Sequence, residues 1–426
     1  MSEKTNKPDI GKEIIKEIVE PSNRKAHKKG RKGLQSLLIP VLAIVVGLIF
    51  GAILIVATSE EVYTGFGQSF GEGASASWKA VSTAYGALFK GAVGNPEKIK
   101  AAFESGDPKD IRRAVNPFLE SLVAATPYIL AGLAMAVAFR SGLFNIGVEG
   151  QLFMGAAAAT FVGYSIKGLP PYIHLPLALI AGFIGGSLWG FIPGWLKAKT
   201  GGSEVINTIM MNWIAFRLTD WLLAGPMRRP TSGGMPISPI IEKSAEIPQF
   251  FPAPIRFHLG FFIALGVAWL VYWLLFKTTW GYNLRTVGTN PNAARYSGMN
   301  IVTTTIMGMV ISGGLAGLAG ANQILAINRS MAAGLSSGYG FDAIALALLG
   351  NNNPVGVVLA ALLFGFLRNG ATNMMVVSRI PIDIISVIQA LIIVFIAAPA
   401  IIRGLFRIKP PKEEEAGLTL RVWGGN

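Results

Sequence analysis

The chain has no cysteine and only three histidines among its 426 residues, and charged side chains make up just 14% of it. Without thiols there is no disulfide, no thiolate metal site and no cysteine nucleophile, although their absence says nothing about compartment. His27, His174 and His258 are too scattered for metal-ligand spacing, so no chemistry is assigned to them. No phosphate-binding loop of the form Gly-x-x-x-x-Gly-Lys-Ser/Thr occurs, so an ATP-driven process would need its ATPase on a separate chain. The scarcity of charge, set against 52% hydrophobic residues, leaves too little polar surface for an ordinary soluble globule. A net charge of +14 would suggest nucleic acid in a soluble protein, but here the basic residues gather at the termini and in short loops, a pattern that reports topology.

What is present is a series of apolar stretches, several of about 20 residues, the length that crosses the hydrocarbon core as a helix. The alternating pattern of an outer-membrane barrel does not occur. The expected fold is therefore all-α, a polytopic membrane helical bundle. Its apolar segments fall near 37–57, 118–139, 151–166, 173–196, 204–224, 258–276, 303–325, 341–350, 354–367 and 382–402, about ten in all. The first follows a lysine-rich stretch ending in Arg24, Lys25, Lys28, Lys29, Arg31 and Lys32, which reads as an uncleaved first span with residues 1–33 as a basic cytoplasmic tail; a cleaved signal is the alternative. Alternate threading of 34–403 through the membrane puts Arg140, Lys197, Lys277, Arg285, Arg295 and Arg403 inside, with 404–426 as a second cytoplasmic tail. Two long segments then lie outside, 60–117 and 225–257, and their basic residues run against the charge rule. Within the first, 77–93 reads as an amphipathic helix on the outer leaflet and 94–113 as a hydrophilic surface insertion.

Glycine recurs every fourth residue at 182, 186, 190 and 194, and again at Gly313 and Gly317 followed by Ala321, giving two helices a face nearly free of side chains. Such faces allow backbones to approach closely, in helix packing within the chain or at a dimer seam.

Two apolar segments are interrupted by polar residues and glycine. The first reads Gly-Leu-Phe-Asn-Ile-Gly-Val-Glu-Gly-Gln at 142–151, bringing Asn145, Glu149 and Gln151 beside a short span. The second runs from Ser336 through Phe341 and Asp342 to Gly350, then Asn351, Asn352, Asn353 and Pro354. Irregular backbone at membrane depth survives only where protein or a watery cavity satisfies it. A pair of broken or re-entrant segments, one in each half, is the pattern of transporters with a two-fold internal repeat and a site between the repeats. A carboxylate in a span marks a pathway, a substrate contact or a structural bond, so Glu149 either holds a re-entrant turn or meets substrate. Arg217 and Asp220, three residues apart, read as an ion pair.

The segment 278–302 carries a short helix signature: Asn290 as cap, Pro291 in the first turn, Gly298 as terminator. Arg285, Arg295 and Tyr296 offer polar and aromatic surface for a soluble partner; a plain connector is the alternative.

These residues together resemble the permease subunits of bacterial ABC importers for nucleosides and related simple sugars, within the branched-chain amino acid and ribose permease superfamily. The match is carried by 142–151, by Ala125-Thr126-Pro127 with Gly132-Leu133, by Glu204-Val205-Ile206 with Met211-Asn212, by Gly288 to Gly298 around Asn290-Pro291, and by Gly340-Phe341-Asp342-Ala343-Ile344-Ala345. Ser203 departs from the asparagine expected before Glu204, and 94–113 is longer than usual, a candidate contact for the binding protein. The resemblance implies a partner permease, presumed paralogous by analogy, two cytosolic subunits that bind ATP and Mg²⁺, and an extracellular substrate-binding lipoprotein, with no cofactor in this chain. It implies Asn145, Glu149, Gln151, Asn212, Phe341 and Asp342 along a nucleoside path, and Arg285, Asn290, Pro291, Ala294, Arg295 and Tyr296 as the coupling surface. A simple-sugar permease, an ion-coupled secondary transporter using Glu149 or Asp342, and a membrane enzyme or receptor are the competing readings.

Overall fold

Backbone amides and carbonyls have no water to bond inside a bilayer, so a chain with this composition must close its hydrogen bonds within each segment, as helices do. The computed structural model describes residues 29–378, 380, 382–397 and 399–407. The basic N-terminal tail is therefore described only from residue 29 and the C-terminal tail only to 407, and the rest of both lies outside the described residues. Among the described residues the structure is helical, with isolated bridges only at Ile237–Ala332 and Gln249–His258. In chain order the helices are α1 Lys29–Thr58, α2 Glu60–Gln68, α3 Phe70–Val93, α4 Pro96–Ser105, α5 Pro108–Arg140, α6 Val148–Ser165, α7 Pro171–Thr200 and α8 Glu204–Ala224. They continue as α9 Gly260–Lys277, α10 Thr279–Thr289, α11 Pro291–Tyr296, α12 Ile301–Gln323, α13 Tyr339–Leu349, α14 Pro354–Ser378, α15 Ile382–Ala397 and α16 Pro399–Leu405. The chain divides into a main unit, Val46–Ala398, and a small one made of Met1–Val45 and Pro399–Asn426.

Among the described residues each of the ten apolar stretches is helical over most of its length. Among the described residues six helical stretches are long and apolar enough to span a membrane: Val41–Thr58, Pro108–Arg140, Pro171–Thr200, Gly260–Lys277, Ile301–Asn328 and Pro354–Ser378. The chain is thus a multi-pass membrane helical bundle. The other four fall short for visible reasons. α6 carries Glu149 and Gln151, α8 carries Glu204, Arg217 and Asp220, α13 has 11 residues and α15 has 16.

Helix α5 is the core of the main unit. From Ala125 to Ala138 every residue is buried, as expected of a helix that is apolar on all sides. Segment 60–117 differs from expectation. Its amphipathic helix begins at Phe70 and lies along α14, where Asn369 Nδ2 donates to Gly91 O (3.0 Å) and Asn373 Nδ2 to Ala87 O (2.6 Å). Such amides bond across apolar helices because no water competes. The hydrophilic insertion is α4, capped by Asn95, followed by the first turn of α5, capped by Asp107. Segment 225–259 is tied down by Ile247 N to Leu325 O (2.8 Å) and by Arg256 Nη2 to Glu120 Oε2 (2.6 Å).

The glycine rows meet each other inside the chain. Gly186 lies on Gly313 and Gly317, Gly190 on Met309, and Gly182 on Ala321, while Gly155 of α6 also meets Gly317. Helices α6, α7 and α12 therefore touch backbone to backbone. Any side chain at Gly317 meets the carbonyl of Gly182, whereas Gly266 in α9 faces open space. Gly317→Leu should cost about 3 kcal/mol and abolish a folded, extractable protein, while Gly266→Ala should be neutral or raise stability by about 0.5 kcal/mol, as read from thermal unfolding in detergent.

Candidate functional site

The first break is held by a closed set of amides. Asn145 Oδ1 accepts from Gly147 N (3.0 Å), and its Nδ2 donates to Gln151 Oε1 (2.9 Å) and to Ser312 Oγ (2.8 Å) of α12. Ser312 in turn donates to Ala134 O of α5 (2.7 Å). From α8, Asn212 Oδ1 accepts from Gly150 N (2.8 Å) and Nδ2 donates to Ile146 O (2.9 Å). Asn145, Gln151 and Asn212 are all buried, and each bonds groups that the irregular turn would otherwise leave bare.

Glu149 does something different. Only 3% exposed, it reaches from the first turn of α6 to the first turn of α13 and accepts from Gly340 N at 2.6 Å. The N-cap position of α13 is Gly338, which has no side chain to offer. Ser336 Oγ takes the Gly338 and Tyr339 amides (both 3.2 Å), and Glu149 supplies the acceptor for the next. A carboxylate is well placed there, because free amides and the helix dipole make a helix start positive. Gly340 is required at this point: a side chain there would run into the backbone of Glu149. The two breaks are thus bonded directly to one another.

Asp342, two residues further along α13, is only half-buried. Tyr128 OH donates to its Oδ2 (2.9 Å) and accepts from Arg368 Nη1 (2.7 Å), and the guanidinium lies 5.0 Å over the Tyr339 ring. Phe341 beside it is 46% exposed. Tyr128 and Arg368 were not singled out by sequence reasoning. Arg368 has the stronger signal, a guanidinium inside the apolar helix Pro354–Ser378, but the apolar run in the sequence stops just before it, at Leu367.

The residues expected to form a coupling surface lie apart from this cluster. Asn290 Oδ1 caps α11 by accepting from Asn292 N and Ala293 N (both 3.1 Å), Pro291 occupies the first turn, and Ala294 anchors the helix in the protein. Arg295 and Tyr296 project outward, Tyr296 at 96% exposure. Arg285 packs inward, its guanidinium 5.1 Å over the Phe276 ring. A cleft of about 230 Å³ connects the two regions, with Ser141, Gly142 and Leu143 at the start of the first break on one side and Gly288 and Pro291 on the other.

The other sequence candidates among the described residues are an ion pair and two histidines. Arg217 and Asp220 pair at 3.6 Å, as their spacing implied. His174 bonds Ser244 Oγ (2.7 Å) and Val162 O (3.2 Å). His258 precedes α9 and is wholly buried, with Nδ1 accepting from Gly260 N. No cluster of potential metal ligands occurs among the described residues.

Comparison with known proteins bears on this arrangement. The family described as "Branched-chain amino acid transport system / permease component" matches residues 118–397, which include both breaks and α11. The chain is 41% identical over 379 residues to the guanosine ABC transporter permease protein NupP of Bacillus subtilis, covering 87% of this chain and 96% of that one. It is 37% identical over 286 residues to the glucose ABC transporter permease protein TsgB13 of Haloferax volcanii, covering 65% and 75%. It is 32% identical over 391 residues to the nucleoside ABC transporter permease protein NupB of Lactococcus lactis, covering 90% and 96%. The Bacillus and Lactococcus species each hold a more distant match of the same description, NupQ and NupC. No solved structure matches. With its apolar helices, its paired breaks and this span of similarity, the chain belongs to the permease components of the branched-chain amino acid transport system family.

Proposed function

We propose that this chain is a membrane-spanning subunit of an ATP-driven nucleoside importer. The observation that carries the solute is the 41% identity with a guanosine permease across 87% of the chain. Both breaks and the coupling helix fall within the family match, consistent with a shared mode of action. Because the relatives of two organisms come as pairs, NupP with NupQ and NupB with NupC, the subunit works beside a second permease of related sequence. Two cytosolic ATPase chains act on α11, and an extracellular binding protein delivers the solute. The chain crosses the plasma membrane ten times with both termini in the cytoplasm, and its halves form a two-fold repeat whose breaks flank the path.

Asn145, Glu149, Gln151, Asn212, Phe341 and Asp342 border that path. Phe341 and Asp342 offer an aromatic face and an acceptor, which suit a nucleoside with hydroxyls, base edges and no net charge. The first four act by shaping the break, since their polar atoms are engaged with protein. A simple sugar is the second reading, favoured by the similarity to a glucose permease. Uptake of labelled guanosine by cells expressing the complete transporter, with purine and pyrimidine nucleosides and glucose as competitors, decides between them. Uptake driven by an ion gradient in vesicles holding this chain alone would reject ATP drive.

Two substitutions probe the parts. Arg295→Glu, on the exposed face of α11, should lower uptake about tenfold or more without loss of folded protein, and unaltered uptake would remove α11 from the coupling role. Glu149→Gln keeps an acceptor for Gly340 N–H and should cost less than about 1 kcal/mol, whereas Glu149→Ala strands that amide and should cost about 1–3 kcal/mol. Equal destabilisation of the two variants, read from their melting temperatures, would show that the charge itself is needed.

A further inference from the structure

The end of α12 farthest from α11 holds polar side chains without partners. Asn322 is 1% exposed, yet neither its Nδ2 nor its Oδ1 makes a hydrogen bond. Oε1 of the adjacent Gln323 is also buried and unbonded. His258 is fully buried; its Nδ1 accepts from Gly260 N (3.1 Å), which fixes the ring proton on Nε2, and that N–H has no acceptor. Gly260 sets the pair side by side, since a methyl group there would meet both the Asn322 amide nitrogen and the imidazole. Asn145 and Asn212, the buried asparagines that hold the first break, both donate to protein acceptors.

A second feature marks the same place. Directly after Gln323 the helix widens into a π turn, Ile324–Asn328, and ends on Arg329 in the left-handed region (φ 57°). Such turns recur at functional positions because they cost regular hydrogen bonding. The segment above is laid over it by Ile247 N to Leu325 O and Gln249 Nε2 to Ala326 O (3.5 Å). The charged neighbours Glu120 and Arg256 neutralise one another, so no net charge faces the cluster.

We propose that Asn322 and His258 form a recognition site for the transported solute, with Nδ2 and Nε2–H as donors and the Oδ1 of Asn322, aided by Gln323 Oε1, as acceptors. The set is complementary to an uncharged solute that both donates and accepts, as the edge of a nucleobase does. The identity of the solute rests on the function proposed above; the role of the site in transport does not.

The test uses the complete transporter, measuring uptake of guanosine, a pyrimidine nucleoside and glucose together with the melting temperature of the complex. Asn322→Leu replaces an unsatisfied amide by an apolar group of similar size. Transport should fall about tenfold or more while the melting temperature holds or rises, because no internal bond is lost. Unchanged uptake, or a fall in uptake with a matching fall in melting temperature, would overturn the proposal. Asn322→Ser and His258→Gln should each shift the ratio of uptake among the carried solutes at least about threefold, and unaltered ratios in both would overturn it as well. If the unsubstituted transporter carries glucose and no nucleoside, the nucleoside reading fails, and the site is judged by the same comparison with glucose.

Discussion

The carboxylate of Glu149 and the amide of Gly340 meet at 2.6 Å, and much of the main unit is arranged around that contact. A helix that begins inside an apolar bundle exposes amides that water cannot reach, and each must find an acceptor or carry a cost of about 1–3 kcal/mol. α13 begins in such a place, with Gly338 at its cap. Ser336 answers locally and Glu149 answers from the other break, 191 residues away in sequence. For Glu149 to reach, α6 must also begin at this depth. That requires the turn before it to be irregular, and the amides of Asn145, Gln151 and Asn212 exist to satisfy that turn. The second break therefore depends on the first.

The polar groups of the bundle fall into two kinds. One kind is saturated: Asn145, Asn212, Ser312 and Asn369 each bond backbone or side-chain atoms of neighbouring helices. These fix geometry. The other kind retains capacity to bond. Asp342 is half-buried with one oxygen held by Tyr128, and Phe341 beside it is nearly half exposed. A solute that sheds water to cross needs replacement partners, so residues with remaining capacity have more to give it than saturated ones.

The sequence revealed helices more readily than partners. Apolar length located the helical stretches, Asn290 with Pro291 located α11, and the four-residue glycine period marked the bare faces of α7 and α12 without naming each as the other's partner, because each signal is local. The outer helix α3 was read short and at a membrane surface: Gly73, Ala74 and Ala76 weaken the apolar signal, and the bonds that draw it onto α14 come from Asn369 and Asn373, nearly 300 residues on. The Tyr128–Asp342–Arg368 chain joins three helices separated by 214 and 240 positions, so no pattern within one segment reports it. Glu149 was left between a structural and a substrate role. Its bond to Gly340 lies 191 positions away in sequence, out of reach of any local pattern.

Seam and breaks also differ in how they can move. Along α6, α7 and α12 the contacts are glycine backbone against glycine backbone, with few side chains to change rotamer and absorb a shift. Close-packed surfaces of that kind slide poorly, because a small displacement loses contact along the whole row or creates overlap. α13 and the turn before it are joined to α6 through Glu149, which bonds Gly340, Gly338 and Ser336, and through the close approach of Gly340. If the bundle has a second conformation, parting α13 from α6 exchanges a few polar bonds, whereas parting α12 from α7 would forfeit an entire seam. A joint of low cost beside a seam of high cost places relative motion at the breaks. The cleft between Gly142 and Pro291 brings one of those breaks within reach of the exposed helix α11.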